Sequence, residues 1–120
     1  MRAFVGYLDT LPWQPSQLDW SRIQPQTSID ISRASRDELT RWAKDSSLGV
    51  HSHIAFVVSG RKPSIFTALE VGIRNIDEIF SASGPFGFCF GVDVAGSEVR
   101  CAYEHFLQWG PGDTMYAIGR

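Results

Sequence analysis

Phe86 to Asp93 alternates large and small side chains. Phe86, Phe88, Phe90 and Val92 fall on one face, and Gly87, Cys89, Gly91 and Asp93 on the other. Period-two alternation with aromatic and β-branched residues marks a strand. Ser97 to Gln108 alternates again and places Val99, Cys101, Tyr103, His105 and Leu107 on one face. Together they predict a β-hairpin within Pro85–Gln108. A three-residue loop, Val94-Ala95-Gly96, is expected between the strands because it needs a positive φ only at Gly96. A two-residue turn over Ala95-Gly96 would force that conformation on an alanine. In the resulting register Cys89 faces Cys101, Asp93 belongs to the turn, and Phe86, Phe88 and Phe90 lie opposite Glu104, Ala102 and Arg100.

Earlier in the chain, Arg2–Leu8 reads as a first strand, with Gly6 marking a bulge or a close backbone approach. Asp9–Gln26 is broken by Pro12, Pro15 and Pro25 and is expected to be irregular, with one or two helical turns starting at Ser16. Thr27–Ser32 predicts a short edge strand. Ser35-Arg36-Asp37-Glu38 fits a capping box, and Leu39, Trp42, Ala43 and Ser46 share the face of the helix it starts. Gly49 suits its stop.

Val50–Ser59 predicts a central strand, since Ile54 to Val58 is apolar on both faces. A turn over Gly60–Pro63 and a Ser64 cap follow. Phe66, Leu69, Ile73, Ile76 and Phe80 then recur by threes and fours, predicting a second helix that ends at Ser83-Gly84-Pro85. A strand over Ser64–Val71 is the rival reading. Trp109–Asp113 reads as a loop and Thr114–Ile118 as a closing strand. The expected fold is α+β, a two-layer sandwich with a mixed five- or six-stranded sheet and two main helices, ending in a β-meander. Residues 1–120 form a single domain in this reading.

Composition narrows the function classes. With 43% hydrophobic and 20% charged residues the chain belongs with globular proteins, not disordered ones. A net charge of −2, with Lys and Arg scattered, argues against nucleic acid or an anionic membrane as partner. MRAFVGYLDTLPWQ has no long apolar run, so no signal peptide is expected, and no segment is long and apolar enough for a membrane span. Two cysteines are too few for a disulfide framework, and a cytoplasmic protein is expected.

The candidate chemistry is sparse. His51 and His53, two apart on a strand, project from one face. If the hairpin aligned with them, His105, Cys89 and Cys101 would complete a zinc- or copper-type set, but no diagnostic metal spacing is present. Cys89 and Cys101 read better as reduced, packed thiols than as a disulfide. Asp93 is explained by the turn, and Glu104 by a pair with Arg100. The glycine-rich stretches at Gly84–Gly87 and Trp109–Gly112 lack the strand-to-helix setting of a phosphate loop.

Four tryptophans in 120 residues are unusual. Trp13, Trp20 and Trp109 lie in loops or at a strand end, where tryptophan often anchors a partner. By exclusion, size and charge, the leading expectation is a small protein-binding domain with an inhibitory or toxin-neutralising (immunity-like) role. It would bind another protein through Trp13, Trp20, Phe86, Phe88, Phe90, Arg100, Glu104 and Trp109, with no cofactor or metal. One alternative is a small hydrolase or metal-assisted enzyme using His51, His53 and His105. Another is a structural homodimer formed through the hairpin face.

Overall fold

The computed structural model describes residues 2–15, 17–57, 65–83, 86–110 and 112–120. The expected turn over Gly60–Pro63, the Ser64 cap, and Ser16, Ser59, Gly84, Pro85 and Pro111 lie outside the described residues. In chain order the elements are α1 (Arg2–Leu8), β1 (Trp13–Gln14), β2 (Gln17–Leu18), a 3₁₀ turn (Trp20–Arg22) and β3 (Gln26–Asp30). There follow α2 (Arg36–Asp45), a second 3₁₀ turn (Ser47–Val50), β4 (His53–Val57), β5 (Ile65–Ala68), α3 (Leu69–Arg74) and α4 (Ile76–Ser83). The chain closes with β6 (Gly87–Ala95), β7 (Glu98–Trp109) and β8 (Thr114–Ile118).

The main sheet has six strands in the order β3-β8-β7-β6-β4-β5. The α+β class, the closing meander β6-β7-β8, the edge position of β3 and the interior position of β4 are as expected. Every neighbouring pair is antiparallel, a narrower arrangement than the mixed sheet expected.

Both faces of the sheet carry a core. One buries Ile54, Phe56, Cys89, Leu107, Met115 and Ala117 beneath α2, α3 and α4. The other buries Ala55, Phe90, Val92 and Phe106 beneath Phe4 and Leu8 of α1 and the Leu18–Ile23 segment. This second cover is absent from the two-layer expectation, because Arg2–Leu8 is a helix and not a strand. Phe4, Tyr7 and Leu8 stand at i, i+3 and i+4, so a helix presents all three to the sheet, whereas a strand would split Phe4 and Leu8 from Tyr7. Gly6 approaches nothing, so it marks neither a bulge nor a close contact.

Helix α2 starts with the expected capping box: Glu38 N–H donates to Ser35 Oγ at 3.1 Å and Ser35 N–H to Glu38 Oε1 at 3.4 Å. It stops at Asp45 with Ser46 as its cap, so Gly49 is not its stop but lies, with Val50, inside the 3₁₀ turn that follows. The long second helix is divided. Phe66 and Ile65 pair with Ala55 and Phe56 as a strand, as in the rival reading, and helix begins only at Leu69. The aromatic and β-branched start of that segment is satisfied by the β4 edge.

The hairpin turn also differs from expectation. Ala95 pairs with Glu98, so the turn is Gly96-Ser97, with φ +62° at Gly96 and no positive φ at Ser97. A glycine at the first central position is the requirement of a type II′ turn, which leaves the alanine in the strand. Cys89 therefore lies opposite Leu107, Asp93 opposite Arg100, and the two cysteines are apart and free.

Candidate functional site

The register of β6 and β7 breaks at one place. Gly91 pairs with Ala102, but the adjacent Phe90 pairs with Phe106, leaving Tyr103, Glu104 and His105 as a bulge. An odd number of extra residues reverses the alternation. Tyr103 packs with the α1-side core, whereas Leu107 is buried in the opposite one. Unbroken pairing would have set Glu104 opposite Cys89, which is fully buried; the bulge puts Leu107 there instead. Bulges of this kind re-aim side chains next to functional sites.

The freed His105 meets His51, the residue that follows the Ser47–Val50 turn. His51 N–H donates to Leu48 O at 3.1 Å, which closes that turn and aims the imidazole across β6. The ring lies on Gly91, where any Cβ would collide with it. Two residues further on the same strand face, Asp93 Oδ2 is 2.8 Å from His51 Nδ1. Asp93 Oδ1 accepts from Ser52 N–H at 3.2 Å, and the Ser52 hydroxyl accepts from Val94 N–H at 3.2 Å. On the other side, His51 Nε2 is 2.7 Å from His105 Nδ1.

Hydrogen-bond valence orders this chain. A carboxylate only accepts, so His51 Nδ1 carries a hydrogen. The Nε2 of a neutral His51 then accepts, and His105 Nδ1 donates to it. The lone pair is left on His105 Nε2. The His51 hydrogen bond, then the Ser52 N–H and the nearby Arg100 guanidinium, hold the Asp93 carboxyl below the usual range despite partial desolvation. His51 is nearly enclosed, with 7% of its side chain exposed, while Asp93 remains 45% exposed.

His105 lines a cavity of about 600 Å³. β8 pairs with β7 only at Leu107 and Gln108, so Glu104 and His105 have no β8 partner and the cavity opens beside them. Tyr7 and Leu11 wall one side, Arg22–Pro25 another, Ser47 and Val50 a third, and Ile118–Arg120 close it. A volume in this range suits a small organic molecule. Desolvation, with a smaller contribution from the charge of Glu104, raises the pKa of the Tyr7 phenol.

No protein-family model, curated protein sequence or solved structure matches this chain.

The other residues singled out from the sequence are dispersed. His53 stacks on Phe66 at 5.2 Å between ring centroids and is bonded to Ser52, away from the His51–His105 pair. Cys89 is buried, which pushes its thiol well up, and Cys101 is exposed on the outer part of the hairpin. The five-residue metal set does not assemble, and among the described residues no group of three or more His, Cys, Asp or Glu could hold a metal ion.

The expected partner-binding face is also divided. Phe90 is buried and Phe88 half-buried beneath Phe4 of α1. Trp20 is 6% exposed, stacked on Tyr116, with its indole N–H donating to Gln108 Oε1 at 2.8 Å. Trp109 stacks on Phe80. Arg100 is exposed opposite Asp93, and Glu104 rims the cavity. Trp13 and Phe86 remain at the surface, 45% and 53% exposed.

Asp93, Gly91, Ser47 and Arg22 were not singled out as site residues. Alternation correctly placed Gly91 and Asp93 on one face. Asp93 belongs to the turn only for a loop at Val94–Gly96; with the turn at Gly96-Ser97 it lies inside the strand, opposite Arg100.

Proposed function

We propose that the chain is a small hydrolase in which His105 acts as general base on a molecule held in the cavity. The observation that carries this reading is the Asp93–His51–His105 hydrogen-bonded chain ending at the cavity wall. His105 Nε2 takes a proton from a water as its oxygen attacks an acyl carbonyl, and returns it to the leaving oxygen as the acyl–oxygen bond breaks. The positive charge on His105 is opposed by the Asp93 carboxylate through His51, in a site where His51 is screened from water. The test is turnover of 4-nitrophenyl butyrate. His105→Gln is expected to lower it about 100-fold or more. Equal turnover by the wild type and this variant would end the reading.

Protein binding, with an inhibitory or immunity-like role, is the second reading. It is favoured by the exposure of Trp13 and Phe86, and it now rests on those two residues in place of the whole hairpin face. A homodimer through Phe86 predicts that Phe86→Ser changes the mass measured by light scattering.

A further inference from the structure

The cavity beside His105 is chemically lopsided. Leu11, Pro12, Ile23, Pro25, Val50 and Ile118 supply its apolar lining. The charged groups are two guanidiniums, Arg22 and Arg120, against the single carboxylate side chain of Glu104. Arg120 is anchored, donating from Nε to Ser46 O at 3.2 Å and from Nη2 to Lys44 O at 2.7 Å, so among the described residues its charge meets carbonyls and no carboxylate side chain. Arg22 is exposed and forms no ion pair among the described residues. Two cations at the rim of an apolar cavity favour an anionic head on an apolar body.

Ser47 is 3% exposed, and its hydroxyl is buried with no hydrogen-bond partner among the described residues. The hydroxyl is closed off from solvent, so Ser47 contributes wall to the cavity and no ligand contact. Ser47 belongs to the same 3₁₀ turn that presents His51, so the hydroxyl and the histidine chain are held by one short segment.

We infer that the cavity takes an apolar carboxylic acid, the carboxylate held by Arg22 and the hydrocarbon by the apolar wall. This rests on the hydrolase reading in one respect, that the acid is the product of ester cleavage. Binding of the acid is measurable without turnover.

The experiment is calorimetric titration of the full chain with octanoate, 1-octanol and octylammonium, three probes that share one apolar chain. Octanoate is expected to bind about ten-fold or more tightly than 1-octanol, the worth of one charge-assisted contact. Arg22→Gln should erase that preference and leave 1-octanol unchanged. Equal affinity for octanoate and 1-octanol, tighter binding of octylammonium, or an octanoate preference that survives Arg22→Gln would each overturn the inference. His105→Gln separates the two readings. Octanoate binding retained in a protein that hydrolyses no ester upholds the ligand class and removes the hydrolase. Ester turnover without an octanoate preference does the reverse.

Discussion

His51 Nε2 and His105 Nδ1 stand 2.7 Å apart, so two imidazoles share a single hydrogen between them. With Asp93 on the far side of His51, that hydrogen has a preferred owner, His105. Fifty-four residues of chain separate the pair, and the β7 bulge brings them together.

Gly91 is the floor on which this arrangement rests. Gly91→Ala places a methyl group in the His51 ring and is expected to destabilise the fold by about 1–3 kcal/mol, as overpacking does. It should also abolish the hydrogen shared by the imidazoles. Proton NMR of the imidazole region checks the second effect: a downfield ring N–H present in the wild type and unchanged in the variant would contradict the geometry.

Asp93 predicts a pH dependence. Its pKa is lowered in the folded chain, chiefly by the His51 hydrogen bond. The folded state therefore binds this proton less readily than the unfolded state. The stabilisation is fully present above the ordinary carboxylate range and is lost as pH falls through the lowered value. Melting temperatures at pH 7 and pH 3 should differ more in the wild type than in Asp93→Asn, and an identical drop in both would contradict the assignment.

The cysteines should react differently. Cys101 is exposed, and alkylation with iodoacetamide is expected to label it in the native protein. Cys89 is fully buried with its thiol held protonated, so it should label only after unfolding. Mass spectrometry of the alkylated native chain should show one adduct, and two would mean that Cys89 is accessible.

Trp13 and Trp20 should part company in melting experiments. Trp20→Ala removes a stacked, hydrogen-bonded core residue and is expected to cost about 3–5 kcal/mol, as is Phe4→Ala. Trp13 is half-exposed, tied by an indole N–H donated to Leu8 O at 2.9 Å, and Trp13→Ala should cost about 1 kcal/mol. A small effect at Phe4 would contradict the placement of α1 on the sheet.

Periodicity carried the elements whose signals are local. The capping box at Ser35, the alternation of Phe86–Asp93, the double-sided apolar run of β4 and the closing strand β8 were all legible, because each depends on neighbours in sequence. Three features were not. Arg2–Leu8 is too short for its spacing to separate helix from strand, and contact of Phe4 with Phe88 and Phe90 decides it. The turn was not legible because Gly96 suits both the last position of a three-residue loop and the first central position of a two-residue turn, and only strand pairing chooses between them.

The bulge at Tyr103–His105 left no local mark, since alternation runs through it unbroken on paper. Its cause is tertiary: Leu107 belongs opposite Cys89 in one core and Phe106 opposite Phe90 in the other, and only three surplus residues allow both. The sequence by itself therefore determined the α+β class and most of the strands, and it named three histidines, of which His53 stays outside the site. Tertiary packing alone decided that His51 and His105 meet, that Asp93 joins them, and that Phe90 of the hairpin is core while Phe86 stays at the surface. Those outcomes depend on burying two opposite faces of one sheet, a condition that no local window of residues contains.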